Sequence, residues 1–134
     1  MNIAIVTADF NSKITHKMEE IAKKHAISLG AKIKKTIHVP GAFEIPFAVK
    51  KLIKNKEIKG IITLGAVIKG DTGHDQIVAN NAAQQIIKLS LEYEKPISLG
   101  IIGPNVTKEQ ATARLENYAK RAAEAVIKML NIDY

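Results

Sequence analysis

The segment Lys69–His74 combines residue types that suit anion binding and proton transfer. Its two glycines let the backbone approach a ligand closely, and free N–H groups at a helix start favour an anion such as phosphate. Asp71 or Thr72 would cap the helix that follows. His74 falls in the first helical turn, where an imidazole can exchange protons near neutral pH. A plain tight turn into a helix would use the same residue types, so the segment alone leaves both interpretations open.

Two of the three phenylalanines, Phe10 and Phe43, occur where a predicted strand gives way to a helix. A flat ring at such a junction could stack on a flat ligand. Alternatively, Phe10 could pack as a hydrophobic staple before a helix that starts at Ser12, and Phe43 could be a core contact. Glu44 is either an acid favoured by the helix dipole or a ligand contact.

Arg114 follows Thr107 by seven residues, which places it about 10 Å along a helix that starts there. Helical side chains lean toward the N-terminus, so Arg114 could reach the rim of a site at the helix start. An arginine in a lysine-rich chain suggests bidentate phosphate recognition. The alternative is a surface ion pair.

The remaining histidines predict no metal site. His16 and His25 belong to the first predicted helix, and His38 belongs to the polar face of an edge strand. No pair of them has the spacing of metal ligands, and the chain contains no cysteine. We therefore expect neither a metal nor a cofactor.

The elements that position these residues alternate between strand and helix. Buried or alternating apolar runs predict strands at residues 2–7, 32–39, 60–67 and 96–102. The second strand alternates, with Ile33, Ile37 and Val39 on one side, which predicts a half-exposed edge strand. Apolar residues at three-to-four spacing predict helices at about residues 12–29, 43–54, 72–93 and 107–130, the last opened by a capping box.

This alternation predicts an α/β fold: one domain over residues 1–134, built as a three-layer α/β/α sandwich with a four-stranded parallel sheet, flavodoxin-like in arrangement. In such sheets ligands bind outside the carboxyl ends of the strands. The residues proposed above for anion binding, stacking and proton transfer lie at or near that edge.

The composition is that of an ordinary globular domain, and the net charge of +7 leaves an anionic partner open. Only two of the 20 basic residues are arginines, Arg114 and Arg121, so we expect no nucleic-acid partner. No apolar stretch is long enough to cross a bilayer and no signal peptide is evident, so we expect a soluble cytoplasmic protein without a membrane partner.

Four segments together carry a family resemblance: Asp9–Asn11, Val39–Pro46, Leu64–His74 and Glu109–Arg114. They closely resemble lumazine synthase, and the match runs in order through almost the entire chain. The resemblance implies condensation of 5-amino-6-(D-ribitylamino)uracil with 3,4-dihydroxy-2-butanone 4-phosphate. The products would be 6,7-dimethyl-8-ribityllumazine, phosphate and water, in the penultimate step of riboflavin biosynthesis.

The resemblance also assigns roles by position. His74 would carry protons. Residues against the pyrimidine and its ribityl chain would be Phe10, Asn11, Ala42, Phe43, Glu44, Ala66, Val67 and Ile68. Residues that hold phosphate would be Gly70, Asp71, Thr72 and Arg114.

Family members assemble as pentamers, sometimes joined into an icosahedral shell, with sites shared between subunits. Leu99 stands where many relatives place an aromatic residue that serves the neighbouring site, and Asp75 stands where an aromatic residue follows the histidine. A family lysine in the last helix has no clear counterpart. Two alternative functions are a mainly structural role in a shell and the activity of the related archaeal riboflavin synthase. The Phe10-Asn11 pair and the Gly-Asp-Thr-x-His loop argue against the riboflavin synthase.

Overall fold

The structure, a computed structural model, describes residues 1–134 as four strands that alternate with four helices, as predicted. The strands are β1 (Asn2–Ala8), β2 (Lys32–Val39), β3 (Gly60–Ala66) and β4 (Ile97–Ile102). The helices are α1 (Ser12–Ser28), α2 (Ile45–Ile53), α3 (His74–Tyr93) and α4 (Lys108–Leu130). A short 3₁₀ turn, Ala42–Glu44, precedes α2.

All strand pairs are parallel, and the sheet order is β2-β1-β3-β4. The β3 strand is buried along its whole length, and β1 is buried from Ile3 onward, because helices cover both faces of these central strands. The β2 strand lies at one edge, as predicted, but its alternation is interrupted, because the register with β1 shifts between Ile3 and Ala4 and passes over Lys34. Ile33 therefore packs on the face that α1 and α4 cover, whereas Ile37 and Val39 pack on the face that α2 and α3 cover. This corrects the prediction that all three lie on one side of the strand. The predicted three-layer flavodoxin-like arrangement is confirmed.

Two apolar clusters fill the space on either side of the sheet. Residues of α1 and α4 pack with Ile5, Ile62 and Ile102 on one face. Residues of α2 and α3 pack with Val6 and Ile61 on the other. Alternate residues of each strand point to opposite faces, so the same central strands supply both clusters.

Two residues that the three-to-four apolar spacing of the predicted helices would bury are exposed. Leu29 lies beyond the end of α1, and Met129 lies in the last turn of α4. In their helices Ala26 and Ile127 are buried instead. The error arises at helix ends, where no neighbouring layer remains to cover the stripe. No helix is both long and apolar enough to cross a membrane.

The helix starts differ in how they are capped. The capping box of α4 is confirmed: the Gln110 N–H donates to Thr107 Oγ1 at 3.1 Å, and the Thr107 N–H donates to Gln110 Oε1 at 2.9 Å. The α3 helix starts two residues later than predicted, after Gly73, without a side-chain cap. Neither Asp71 nor Thr72 caps it, which corrects the sequence expectation.

Candidate active site

A pocket of about 370 Å³ opens at the carboxyl edge of the sheet. This volume lies in the range of small-molecule sites, and the location is the one expected for a parallel sheet. The loops after β1, β2 and β3 supply most of the lining: Phe10, Asn11, Gly41, Ala42, Phe43, Glu44, Ala66, Val67, Ile68, Gly70, Thr72, His74, Asp75 and Val78. Most of the residues predicted from sequence therefore meet in one cavity.

The loop after β1 is held by hydrogen bonds that leave the ring of Phe10 free. The Phe10 N–H donates to the Pro40 carbonyl at 2.9 Å. Asn11 adopts a left-handed backbone (φ 66°), which asparagine tolerates, and its Nδ2 donates to the Ala66 carbonyl at 2.8 Å. Phe10 itself is 61% exposed. It does not act as a hydrophobic staple, so its ring is available to a ligand or a neighbouring chain.

The 3₁₀ turn after β2 presents a second ring to the pocket. Ala42 is buried beneath the turn, whereas Phe43 is 59% exposed and lines the cavity. The Glu44 N–H donates to the Gly41 carbonyl at 3.1 Å, which closes the turn. The core-contact interpretation of Phe43 is therefore wrong, and Glu44 lies in the pocket wall.

The loop between β3 and α3 leaves a row of donors unpaired. Lys69 is tied down, because its N–H donates to the Val106 carbonyl at 2.8 Å. None of the backbone N–H groups of residues 70–75 donates a hydrogen bond within the chain. With no side-chain cap, these donors and the positive end of the α3 dipole remain free for an anion.

His74 and Asp75 open α3 but have opposite environments. His74 is exposed, lines the pocket and makes no hydrogen bond within the chain. Asp75 is 6% exposed, and its Oδ2 accepts the Asn105 N–H at 2.9 Å. This contact could not be predicted from the sequence, because an acid in a first helical turn is usually exposed and its partner lies 30 residues further along the chain.

The Asp75–Asn105 bond joins the histidine-bearing helix start to the loop after β4. Gly103 lies in the same loop with φ 108°, and a Cβ there would collide with the Val67 carbonyl. The Val67 N–H donates to the Ile102 carbonyl at 2.8 Å. The loop after β4 therefore packs directly against the segment that lines the pocket.

Three predicted residues do not line the pocket of the single chain: Asp71, Leu99 and Arg114. All three are exposed. Leu99 is 50% exposed on the edge strand β4, and Arg114 lies on the outer surface of α4. The backward lean of the Arg114 side chain does not bring it into the pocket.

Taken together, the pocket offers two exposed rings, a row of free N–H donors and an unpaired imidazole. Such a set can stack a planar ligand, bind an anionic group and transfer protons between them.

Comparisons with known proteins agree with this chemistry. The family model described as 6,7-dimethyl-8-ribityllumazine synthase matches residues 1–133. The chain is 53% identical over 129 residues to the 6,7-dimethyl-8-ribityllumazine synthase of Methanothermobacter thermautotrophicus, covering 96% of this chain and 92% of that one. Identity to the enzyme of the same name from Methanocaldococcus jannaschii is 48% over 130 residues, covering 97% and 92%. Identity to the enzyme of the same name from Metallosphaera sedula is 50% over 129 residues, which cover 96% of this chain and 85% of that one.

Proposed function

The chain belongs to the 6,7-dimethyl-8-ribityllumazine synthase family, and from this membership we infer that it condenses 5-amino-6-(D-ribitylamino)uracil with 3,4-dihydroxy-2-butanone 4-phosphate. The products are 6,7-dimethyl-8-ribityllumazine, phosphate and water. The protein is accordingly a transferase of riboflavin biosynthesis. The observation that carries this conclusion is the match of nearly the whole chain, together with a pocket whose lining suits both substrates.

The pyrimidine substrate is assigned to the side of the pocket with the two rings. Phe10 stacks on the planar pyrimidine, which its exposed position allows. Backbone groups at the end of β3 meet the polar edge of the ring, and the remaining residues hold the ribityl hydroxyls. The proposed set is Phe10, Asn11, Ala42, Phe43, Glu44, Ala66, Val67 and Ile68.

The phosphorylated substrate is assigned to the loop before α3. The free N–H groups of residues 70–75 are donors of the kind that bind phosphate at helix starts. Gly70 and Thr72 line the pocket, and Asp71 lies between them. In this proposed arrangement the phosphate would lie next to His74.

The reaction requires several proton transfers, which His74 is positioned to perform. The substrate amine attacks the ketone, and loss of water gives an imine. Phosphate then leaves by elimination, and ring closure releases a second water. An imidazole can take a proton from nitrogen or carbon and return it to a leaving oxygen. Orientation of the two substrates supplies a further share of the rate, since effective molarities reach about 10⁵ M or more.

Arg114 and Leu99 are exposed and lie outside the pocket of their own chain. We propose that they serve the pocket of a neighbouring subunit in a homo-oligomer, either a pentamer or an icosahedral shell of pentamers. The Arg114 guanidinium would then bind the phosphate from across the interface. The biosynthetic role also implies a cytoplasmic location.

The deciding experiment mixes the purified protein with both substrates and follows lumazine fluorescence and phosphate release. We expect both signals to rise together and to require both substrates. A protein that converts lumazine alone into riboflavin would be a riboflavin synthase, and a protein that assembles without turnover would have a structural role. Either result would overturn the proposed reaction.

A further inference from the structure

A carboxylate and two imidazoles converge on the surface beside the pocket, although they come from three different elements. Asp9 follows β1, His16 lies on α1 and His38 lies on β2. His16 Nε2 is 2.8 Å from Asp9 Oδ1, and His38 Nδ1 is 3.2 Å from the same oxygen. One nitrogen or oxygen atom of each residue lies within 4.8 Å of the others.

The second ring nitrogen of His38, Nε2, already has a hydrogen-bond partner within the chain. His38 Nε2 is 2.7 Å from Glu19 Oε1, and an ionised carboxylate only accepts, so this nitrogen donates. Thr7 Oγ1 donates to the same Glu19 oxygen at 2.7 Å, which fixes the carboxylate. Thr7 is fully buried and Glu19 is largely buried, so this support is anchored in the fold rather than on the surface.

Because Nε2 of His38 is the hydrogen-bond donor, Nδ1 of the neutral ring is an acceptor. A neutral imidazole carries one N–H, so Nδ1 of a neutral His38 presents a lone pair to Asp9 Oδ1, which also presents lone pairs. Two acceptors 3.2 Å apart repel each other unless a positive charge lies between or beside them. A cation coordinated by both atoms would remove that repulsion.

We propose that Asp9, His16 and His38 form a site for a divalent transition-metal ion, for which Zn²⁺ is the best match. Two imidazoles and one carboxylate are a donor set that suits zinc, whereas magnesium prefers oxygen ligands and water. Glu19 is the outer partner that orients His38, in the carboxylate–histidine–metal arrangement common around zinc. The proposed site departs from the sequence-based expectation that the chain binds no metal.

The present distances are compatible with coordination after small side-chain rotations. Zinc binds nitrogen and oxygen at about 2.0–2.2 Å, so ligand atoms around it lie roughly 3–3.5 Å apart. The three side chains are partly exposed, which gives them room to adjust and leaves coordination positions for water. None of the three lines the pocket, so the metal would not touch the substrates.

The position of the site indicates a bracing role. The Asp9 N–H donates to the Val39 carbonyl at 2.8 Å, and the next residue, Phe10, contacts Pro40 through its own N–H. A metal held by Asp9, His16 and His38 would cross-link the loop that carries Phe10 and the end of β2 to α1. The inference goes beyond the proposed reaction and does not depend on it.

The test is a zinc titration of the full-length, assembled protein after chelator treatment, measured by calorimetry. We expect one Zn²⁺ per chain, and a thermal midpoint that rises with free zinc because the ion binds only the folded state. His16→Gln and His38→Gln should each weaken binding at least tenfold. Glu19→Gln, which alters only the outer partner, should weaken it about 10- to 100-fold.

His25→Gln is the matched control, because it removes an imidazole from the same helix, outside the cluster. It should leave the zinc affinity unchanged. A Co²⁺-loaded sample should show visible absorption bands that disappear in the His38→Gln protein. Circular dichroism of each variant distinguishes loss of the site from loss of the fold.

Three results would overturn the proposal. They are the absence of stoichiometric binding, equal affinity in the wild-type and His38→Gln proteins, and loss of binding in His74→Gln instead, which would place the ion in the pocket. Lumazine formation is measured separately, so failure of the metal site would leave the assigned reaction intact, and the reverse also holds.

Discussion

The two ends of the parallel sheet differ in whether their polar groups have hydrogen-bond partners within the chain. At the amino end, chain turns are closed by internal hydrogen bonds. The Lys32 N–H donates to the Met1 carbonyl at 2.8 Å, and the Lys59 N–H donates to the Asn2 carbonyl at 2.8 Å. The Lys95 ammonium donates to the Ile53 and Asn55 carbonyls at 2.8 and 3.0 Å. Burial, with a smaller contribution from nearby Lys59, lowers the pKa of Lys95.

At the carboxyl end, comparable groups are left without partners in the chain. The N–H groups of residues 70–75 donate to nothing, and the rings of Phe10 and Phe43 are exposed. These exposed donors and rings are available to a ligand, which can replace the water around them. The amino end is closed by its own hydrogen bonds, whereas the carboxyl end keeps groups that can bind a ligand. Substitutions at the two ends should therefore separate activity from stability.

The largest expected effect comes from the histidine at the carboxyl end. His74→Ala removes the proton carrier, and we expect kcat to fall by about 100-fold or more without reaching zero, because substrate orientation persists. Steady-state lumazine fluorescence measures the change. His25→Ala removes an imidazole near the amino end and should leave kcat at the wild-type value. Complete inactivity of a folded His74→Ala protein, or equal loss in both variants, would contradict this division.

A somewhat smaller effect is expected at Arg114. Loss of a charge-assisted hydrogen bond of about 1.5–3 kcal/mol corresponds to roughly a 10- to 150-fold rise in KM for the phosphorylated substrate. The KM for the pyrimidine should change much less. Arg121→Ala is the matched control on the same helix, where Arg121 lies over the Tyr118 ring. An unchanged KM in Arg114→Ala would remove Arg114 from the site and weaken the case for a shared pocket.

Asp75 tests the side-chain hydrogen bond that joins the start of α3 to the loop after β4 at the carboxyl end. Asp75→Ala deprives the Asn105 N–H of its partner, and we expect a loss of about 1–3 kcal/mol in the free energy of unfolding. Activity should also fall, since the bond joins the His74 turn to the loop after β4. Denaturant unfolding followed by fluorescence or circular dichroism measures the stability change.

The control for this prediction is Asp71→Ala, an exposed acid in the same segment, which should change the unfolding free energy by less than about 0.5 kcal/mol. Equal destabilisation by both substitutions would mean that the Asp75–Asn105 bond contributes nothing specific.

The fold was largely predictable because its signals are local. The buried runs of β1 and β3 and the capping box at Thr107 each lie within one element. The alternation predicted for β2 was wrong, because the shift in its register depends on its pairing with β1. Most of the pocket followed from the rule that strand carboxyl ends share an edge. Helix starts were less predictable, since α3 begins without the side-chain cap that Asp71 or Thr72 could have provided.

Contacts between distant segments were not predictable. The burial of Asp75 depends on a backbone N–H 30 residues away, and the grouping of Asp9, His16 and His38 depends on three elements with no shared spacing. The position of Arg114 outside the pocket could not be predicted from the sequence either. The sequence indicates how far along α4 this residue lies, but not that it faces away from the pocket.

The smallest expected effect lies near the amino end, where His25 Nε2 and Glu124 Oε1 are 2.8 Å apart between α1 and α4. The hydrogen bond from His25 lowers the pKa of Glu124 below its usual range. A carboxyl whose pKa is lower in the folded state contributes stability above its unfolded pKa of about 4.3, and that contribution is lost as the pH falls through the folded value.

Glu124→Gln should therefore lower the thermal midpoint slightly at neutral pH and flatten its decline on acidification. Glu116→Gln removes an exposed charge from the same helix and should change neither property measurably. Because the pair lies far from the pocket, a change in lumazine formation by Glu124→Gln at neutral pH would contradict the separation between the two ends of the sheet.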